Sequence, residues 1–303
     1  MTRQLLRRFQ IFQKIQEVVM LKVFINIKAR LLNLQVITKK DNKMKKYKYT
    51  PKTKEELKAL VEDESIYLGD IDTSNITNMS GLFEDFTRID FSGIETWDVS
   101  NVRDMSYMFS GCKSFNQPLN DWDVSNVRDM SYMFSGCKSF NQPLNDWDVR
   151  NVENMEQMFE GCENFNQDLS SWDMSSSYST AWMFLGCKSF NQPLNDWDVS
   201  NVKDMRFMFH GCHAFNQPLE KWNTSNVENM RGMFWGCKSF NQPLGDWDTS
   251  NVANMENMFD SCKSLNQSLE KWNTSRVKYT DDMFENCPID NSNKPKALQE
   301  LSI

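Results

Sequence analysis

Histidine is nearly absent: His210 and His213 are the only two in 303 residues. Cys-x-x-Cys pairs, glycine-rich phosphate loops and Ser/His/Asp groupings are also missing from the repeated part of the chain. Without these carriers of nucleophilic, acid–base and metal chemistry, no catalytic residue, metal ligand or cofactor is expected. The two histidines do flank Cys212 as His-Gly-Cys-His, which can be read as a metal cluster. Cys212 belongs to a regular apolar column, however, and His210 to a surface position, so the thiol and the ring are expected to part.

Long apolar runs are lacking too. Lys14 and Glu17 stand just before the apolar stretch from Val18 to Asn26, Lys22 breaks it, and no small-residue cleavage site follows. Neither a signal peptide nor a membrane span is expected. No cysteine precedes Cys112, so a lipoprotein anchor is not expected either.

Charge is unevenly divided. Residues 1–49 hold 13 Lys/Arg against Glu17 and Asp41, a net of +11, and the other 21 Lys/Arg and 39 Asp/Glu leave −18 for the rest. The basic leader reads as a disordered segment, as a stretch upstream of a natural start at Met44, or as an amphipathic helix on a membrane surface. Association with a membrane is open only through that leader. The acidic body should repel nucleic acid.

What is abundant is repetition. Gly-Cys-Lys-Ser-Phe-Asn-Gln-Pro-Leu starts at Gly111, Gly136, Gly186 and Gly236. Eight of ten tryptophans fall at 97, 122, 147, 172, 197, 222, 247 and 272, and all eight cysteines run from Cys112 to Cys287 in steps of 25. A fixed period of this length marks stacked units around one continuous core. Cysteines in equivalent places point the same way, so buried free thiols are favoured over bridges.

Within one unit, Trp122 and Val124 alternate with Asp121 and Asp123, the period of a short strand. Val127, Met130, Met133, Phe134 and Cys137 then recur every three to four residues, the spacing of a short helix or 3₁₀ turn. Asn126 stands where an N-cap belongs and Gly136 where a left-handed C-cap belongs. Asn-Gln recurs in seven units, from Asn116-Gln117 to Asn266-Gln267, and stacked amides can bond from rung to rung. Ahead of the repeats, Thr53 to Glu56 is a capping box opening a helix with Leu57, Leu60 and Val61 on one side.

The motif W-D-V-S-N-V-x-x-M-x-x-M-F-x-G-C-x-x-F-N-Q-P-L, as at Trp97 to Leu119, resembles the BspA-like leucine-rich-repeat surface proteins of bacteria, with a repeat of about 26 residues there and 25 here, over residues 66–287. That resemblance implies a right-handed leucine-rich-repeat-like solenoid and a role in surface display, adhesion and protein binding; it carries over no catalytic residue. The expected fold class is therefore an α/β repeat with one short parallel strand and one short helix or 3₁₀ turn per unit, closed by an N-terminal capping helix. The division is a leader at 1–43, a capping region at 44–65, nine repeats of 25–26 residues at 66–290 and a tail at 291–303. Location stays open between the cell surface or outside, by resemblance, and the cytoplasm, where the chain would be an intracellular interaction or regulatory scaffold. The partner is an unidentified protein, and the oligomeric state is open.

Two surfaces are candidates for it. In the columns before the second Met and after the Phe, copies differ, and Trp182, Leu185, Phe207, His210 and Trp235 meet in adjacent units. They form either an apolar contact patch or an inward filling for the irregular unit where Ser177 and Thr180 replace Val and Met. The other candidate is the acidic strand face of Asp98, Asp123, Asp148, Asp173, Asp198 and Asp248. It reads as a solvated face, a surface for a basic partner, or a site for calcium.

Overall fold

The computed structural model describes residues 47–299, so the basic leader at 1–43 lies outside the described residues. Helix α1 spans Lys54–Glu62. The Thr53 side chain accepts the Glu56 N–H, and the Glu56 carboxylate reaches back to the Lys52 N–H at 2.7 Å. The helix lays Leu57 and Val61, both fully buried, over the first end of the core. Arg88, 3% exposed, donates to the carbonyls of Val61 (3.1 Å) and Ile66 (2.9 Å). It thereby satisfies a helix-terminal acceptor that would otherwise lie buried and unpaired.

From there units follow one another in register. Parallel bridges join Asn78 to Asp104, Asp104 to Asp129, and so on at intervals of 25 to Asn254 and Tyr279. These are single-residue bridges, and they fall seven residues beyond each tryptophan. Trp122 to Val124, expected as a strand, is irregular backbone between turns at 120–121 and 125–126, and Val127 to Cys137, expected as a short helix or 3₁₀ turn, is a run of turns at 131–136 with separate i→i+3 bonds in place of a continuous helix. Backbone hydrogen bonds explain why. Met130, Tyr132, Phe134 and Gly136 donate to Asn154, Glu156, Met158 and Glu160 of the next unit, at 2.6–3.0 Å. The intervening N–H groups of Met133, Ser135 and Cys137 close turns onto Met130, Tyr132 and Phe134. Tyr132 and Gly136 have φ of +58° and +74°. A left-handed residue every fourth position breaks a helix, and it turns alternate N–H and C=O groups along the stack, where an identical neighbour offers the complementary row.

The ribbon of turns still points Met130, Met133, Phe134 and Cys137 inward, each fully buried. Tryptophans from Trp147 to Trp272 stack with centroids 6.1–6.5 Å apart and planes within 5°. Trp147 Nε1 donates to Leu119 O of the preceding unit at 2.8 Å, which gives the indole a partner inside the core. Cys137 Sγ likewise donates to Phe109 O at 3.0 Å, and the cysteines are free. Burial pushes the Cys112 thiol up to about 12. Around the outside runs an amide ladder. Asn166 N–H donates to Asn141 Oδ1 (2.9 Å), and Gln167 Nε2 reaches the same oxygen at 3.0 Å. Asn126, placed as an N-cap by its position, instead donates from Nδ2 to Ser100 O of the preceding unit at 2.8 Å.

At the other end, Asp290 N–H and Asn293 Nδ2 both donate to Asn266 Oδ1, at 2.9 Å each. The segment after the last turn thus prolongs the amide ladder by half a unit.

Candidate interaction surfaces

The aspartate column is built locally. Asp98 Oδ1 accepts from the Ser100 N–H (3.0 Å) and hydroxyl (2.6 Å). Asp123 does the same with Ser125, and Asp173, Asp198 and Asp248 accept from the N–H of Ser175, Ser200 and Ser250. Asp148 accepts from the Arg150 backbone and guanidinium. Each carboxylate closes a turn two residues ahead, so the column is a series of Asx turns that shape the backbone after each tryptophan. Those serine bonds hold the Asp173 and Asp248 carboxyls below the ordinary aspartate value. Where the column reads Asn223 or Asn273, the amide oxygen makes the same bond, which shows that an acceptor, and not a charge, is what the position needs. No group of three His, Cys, Asp or Glu side chains with metal-holding geometry occurs among the described residues.

The variable columns are a different kind of surface. Tyr107, Tyr132, Gln157, Trp182, Phe207 and Asn257 all have φ between +55° and +58°. A left-handed backbone suits glycine, as at Gly81 and Gly232 in the same column; a bulky side chain there costs about 1–2 kcal/mol. Four aromatic residues occupy these positions despite that cost. Tyr107 and Tyr132 stack at 4.3 Å. Burial first, and then Tyr107 beside it, raise the Tyr132 hydroxyl to about 12.

The five residues singled out by sequence are all half-buried; the rings of four of them come together, and Leu185 closes a turn onto Trp182 O through its N–H at 3.0 Å. Trp182 stacks on Phe207 at 6.0 Å, Phe207 meets Trp235 at 6.4 Å, and His210 lies between them, 4.6 Å from the Trp235 ring. They lie on the face of the stack and do not refill the irregular unit beneath. There Ser177 Oγ donates to Val152 O at 3.0 Å, while Thr180 Oγ1 is buried without a partner. A Cβ on Gly232 would come within 2.4 Å of the Phe207 ring, so the ring occupies the gap that glycine leaves. Burial holds the His210 imidazole below the ordinary histidine value, and its Nδ1 has no hydrogen-bond partner. Cys212 is turned to Phe184 O in the core at 3.0 Å, so ring and thiol do not converge.

Two residues of this face were not singled out from sequence. The Arg206 guanidinium sits 4.3 Å from the Trp182 ring centroid, and that of Arg231 is 5.6 Å from Phe207. Arg206 also lies 3.1 Å from an Asp204 oxygen, and Arg231 pairs with Glu256 at 2.9 Å. The signal was available in the preceding column, which changes from Ser106 and Ser131 to Glu156, Ala181, Arg206, Arg231 and Glu256.

A uniform interior under a face that changes from unit to unit defines a tandem-repeat protein. The family described as Mycoplasma protein of unknown function, DUF285, matches residues 55–172, 142–229 and 216–296, and the chain belongs to that family. No curated protein and no solved structure matches it.

Proposed function

We propose that the chain is a non-enzymatic recognition protein, a leucine-rich-repeat-like solenoid of the bacterial surface or adhesion type, and that it holds a protein partner on the face of Trp182, Leu185, Phe207, His210 and Trp235. The observation that carries this reading is the aromatic occupancy of a left-handed column. Side chains kept where the backbone favours glycine point to a role beyond folding. Clustered aromatics with stacked arginines, rimmed by charge, have the composition of contact sites. The aspartate column becomes the lesser candidate, because one oxygen of each carboxylate is engaged in a turn.

The test is a Trp182→Ser, Phe207→Ser, Trp235→Ser variant, compared with the parent in partner recovery from cell extract and in its melt. A folded variant with lost recovery supports the reading; unchanged recovery returns the aspartate face to first place. Protease accessibility on intact cells separates surface display from an intracellular scaffold.

A further inference from the structure

The ten tryptophans divide into two kinds by their indole N–H. Eight of them, from Trp97 to Trp272, donate from Nε1 to a leucine or isoleucine carbonyl of the unit before, at 2.8–3.2 Å. The indole N–H groups of Trp182 and Trp235 have no acceptor among the described residues. The Arg206 guanidinium stacked on Trp182 is open in the same sense: its Nε lies 3.1 Å from an Asp204 oxygen, and neither Nη makes a hydrogen bond among the described residues.

Acceptors are what this face lacks. Across the units of Trp182, Phe207 and Trp235, the columns of Arg206, Phe207 and His210 contain no Asp, Glu, Asn, Gln, Ser, Thr or Tyr, so an imidazole nitrogen is the one side-chain acceptor in them. The backbone acceptors are taken. The Arg206 and Arg231 carbonyls accept from the Trp182 and Phe207 N–H groups at 2.9 and 2.8 Å, and the Trp182 and Phe207 carbonyls accept from the Leu185 and His210 N–H groups at 3.0 and 3.1 Å. The face is thus an apolar, aromatic surface with hydrogen-bond donors in excess.

That excess decides the occupant. An ordinary extended segment brings an N–H with every carbonyl and would bury those N–H groups unpaired. A second copy in a two-fold contact would set donors against donors. A carboxylate-bearing segment supplies acceptors, but Asp204 already lies against the open guanidinium and the repeat body is strongly acidic. We infer that the face takes a proline-rich segment in the polyproline II conformation. Proline has no N–H, its carbonyls stand free as acceptors, its ring packs on aromatic side chains, and the conformation is ordered before binding. The inference rests on the recognition reading above and adds the chemistry of the partner. Trp182 and Trp235 are two rungs apart, about 10 Å along the stack, and three residues of polyproline II cover about 9 Å. Prolines three residues apart, in a segment running along the stack, therefore meet the two tryptophans in the same orientation.

The test titrates the full chain with fluorescent synthetic peptides of about ten residues. One is proline-rich with Pro-x-x-Pro spacing, one has alanine in place of every proline, and one has glutamate there. The proline peptide is expected to bind at least about tenfold tighter than the alanine peptide, with little change as salt rises from about 50 to about 500 mM. A Trp182→Phe, Trp235→Phe variant keeps the rings and loses the two indole donors, and it should weaken the proline peptide at least about fivefold. A Trp182→Ser, Trp235→Ser variant, checked by melt like the first, should not bind it. If the alanine peptide binds as well and still requires the two tryptophans, the proline-rich partner is wrong and the recognition face stands. If the proline peptide binds unchanged to the serine variant, both fail. Tighter binding of the glutamate peptide, reduced by salt, identifies an acidic occupant and overturns the inference. Unchanged binding to the phenylalanine variant, failure of all three peptides to bind, or a doubled mass of the free parent that reverts in the serine variant overturns it as well.

Discussion

The units around Tyr132 and Phe207 have the same inside and different outsides. Met130, Met133, Phe134 and Cys137 correspond to Met205, Met208, Phe209 and Cys212, all fully buried. On the face, Ser131, Tyr132 and Ser135 correspond to Arg206, Phe207 and His210. A stacked column leaves no room for variety in its core, because each side chain packs on its own counterpart above and below. Variety is confined to positions that point out, and it is there that one unit acquires what another lacks.

The largest contrast expected is between core and face under alkali. The folded pKa of the buried thiols is raised by burial. Their contribution is therefore fully present below the unfolded thiol value of about 8.5 and is lost as pH climbs from there toward the folded value, by about 1.4 kcal/mol per pH unit for each thiol. Urea melts at rising pH should show this loss, and a Cys187→Ala, Cys212→Ala, Cys237→Ala variant should show a shallower one. Equal slopes would mean that the thiols are not held neutral in the core.

Next in size, Trp147→Ala should cost about 3–5 kcal/mol and Trp182→Ala only about 1 kcal/mol in the same thermal melt. Equal costs would erase the distinction between the two kinds of tryptophan. A smaller effect of opposite sign is expected at Thr180→Met, which restores the column residue in place of a buried, unpartnered hydroxyl and should add about 1 kcal/mol. A loss instead would show that the irregular unit is packed to suit threonine.

The smallest effects belong to the aspartate column. Asp173→Ala should cost about 1 kcal/mol and Asp173→Asn almost nothing, since an amide oxygen can accept from Ser175. Asp173 and Asp248 have lowered folded pKa values; their stabilisation is present above the ordinary aspartate value and is lost as pH falls through the folded one. A calcium-dependent melt, or an Asp173→Asn variant as damaged as Trp147→Ala, would contradict a turn-forming role.

The period, the buried columns and the aromatic cluster were legible in sequence because they depend on identity at fixed spacing. The backbone path was not. A spacing of three to four between Met130, Met133 or Phe134, and Cys137 is what a helix produces, and a ribbon of turns with left-handed residues at Tyr132 and Gly136 produces it equally well. The discriminating sign was Gly81, Gly232, Asn257 and Asp282 sharing one column with tyrosine, since those residue types tolerate positive φ. Asp-Val-Ser at Asp98 and Asp123 likewise carried the signature of an Asx turn, whereas alternation alone suggested a strand.

The account's central claim, that units are alike within and distinct without, is tested most directly by removing whole units. Deleting residues 123–147 takes out the Tyr132 unit, and deleting 198–222 takes out the Phe207 unit with Arg206 and His210. Partner recovery from cell extract with both deletions, alongside their melts, should find two folded proteins of similar midpoint, of which only the second has lost binding. Equal loss of binding in both, or unfolding of the first, would contradict the account.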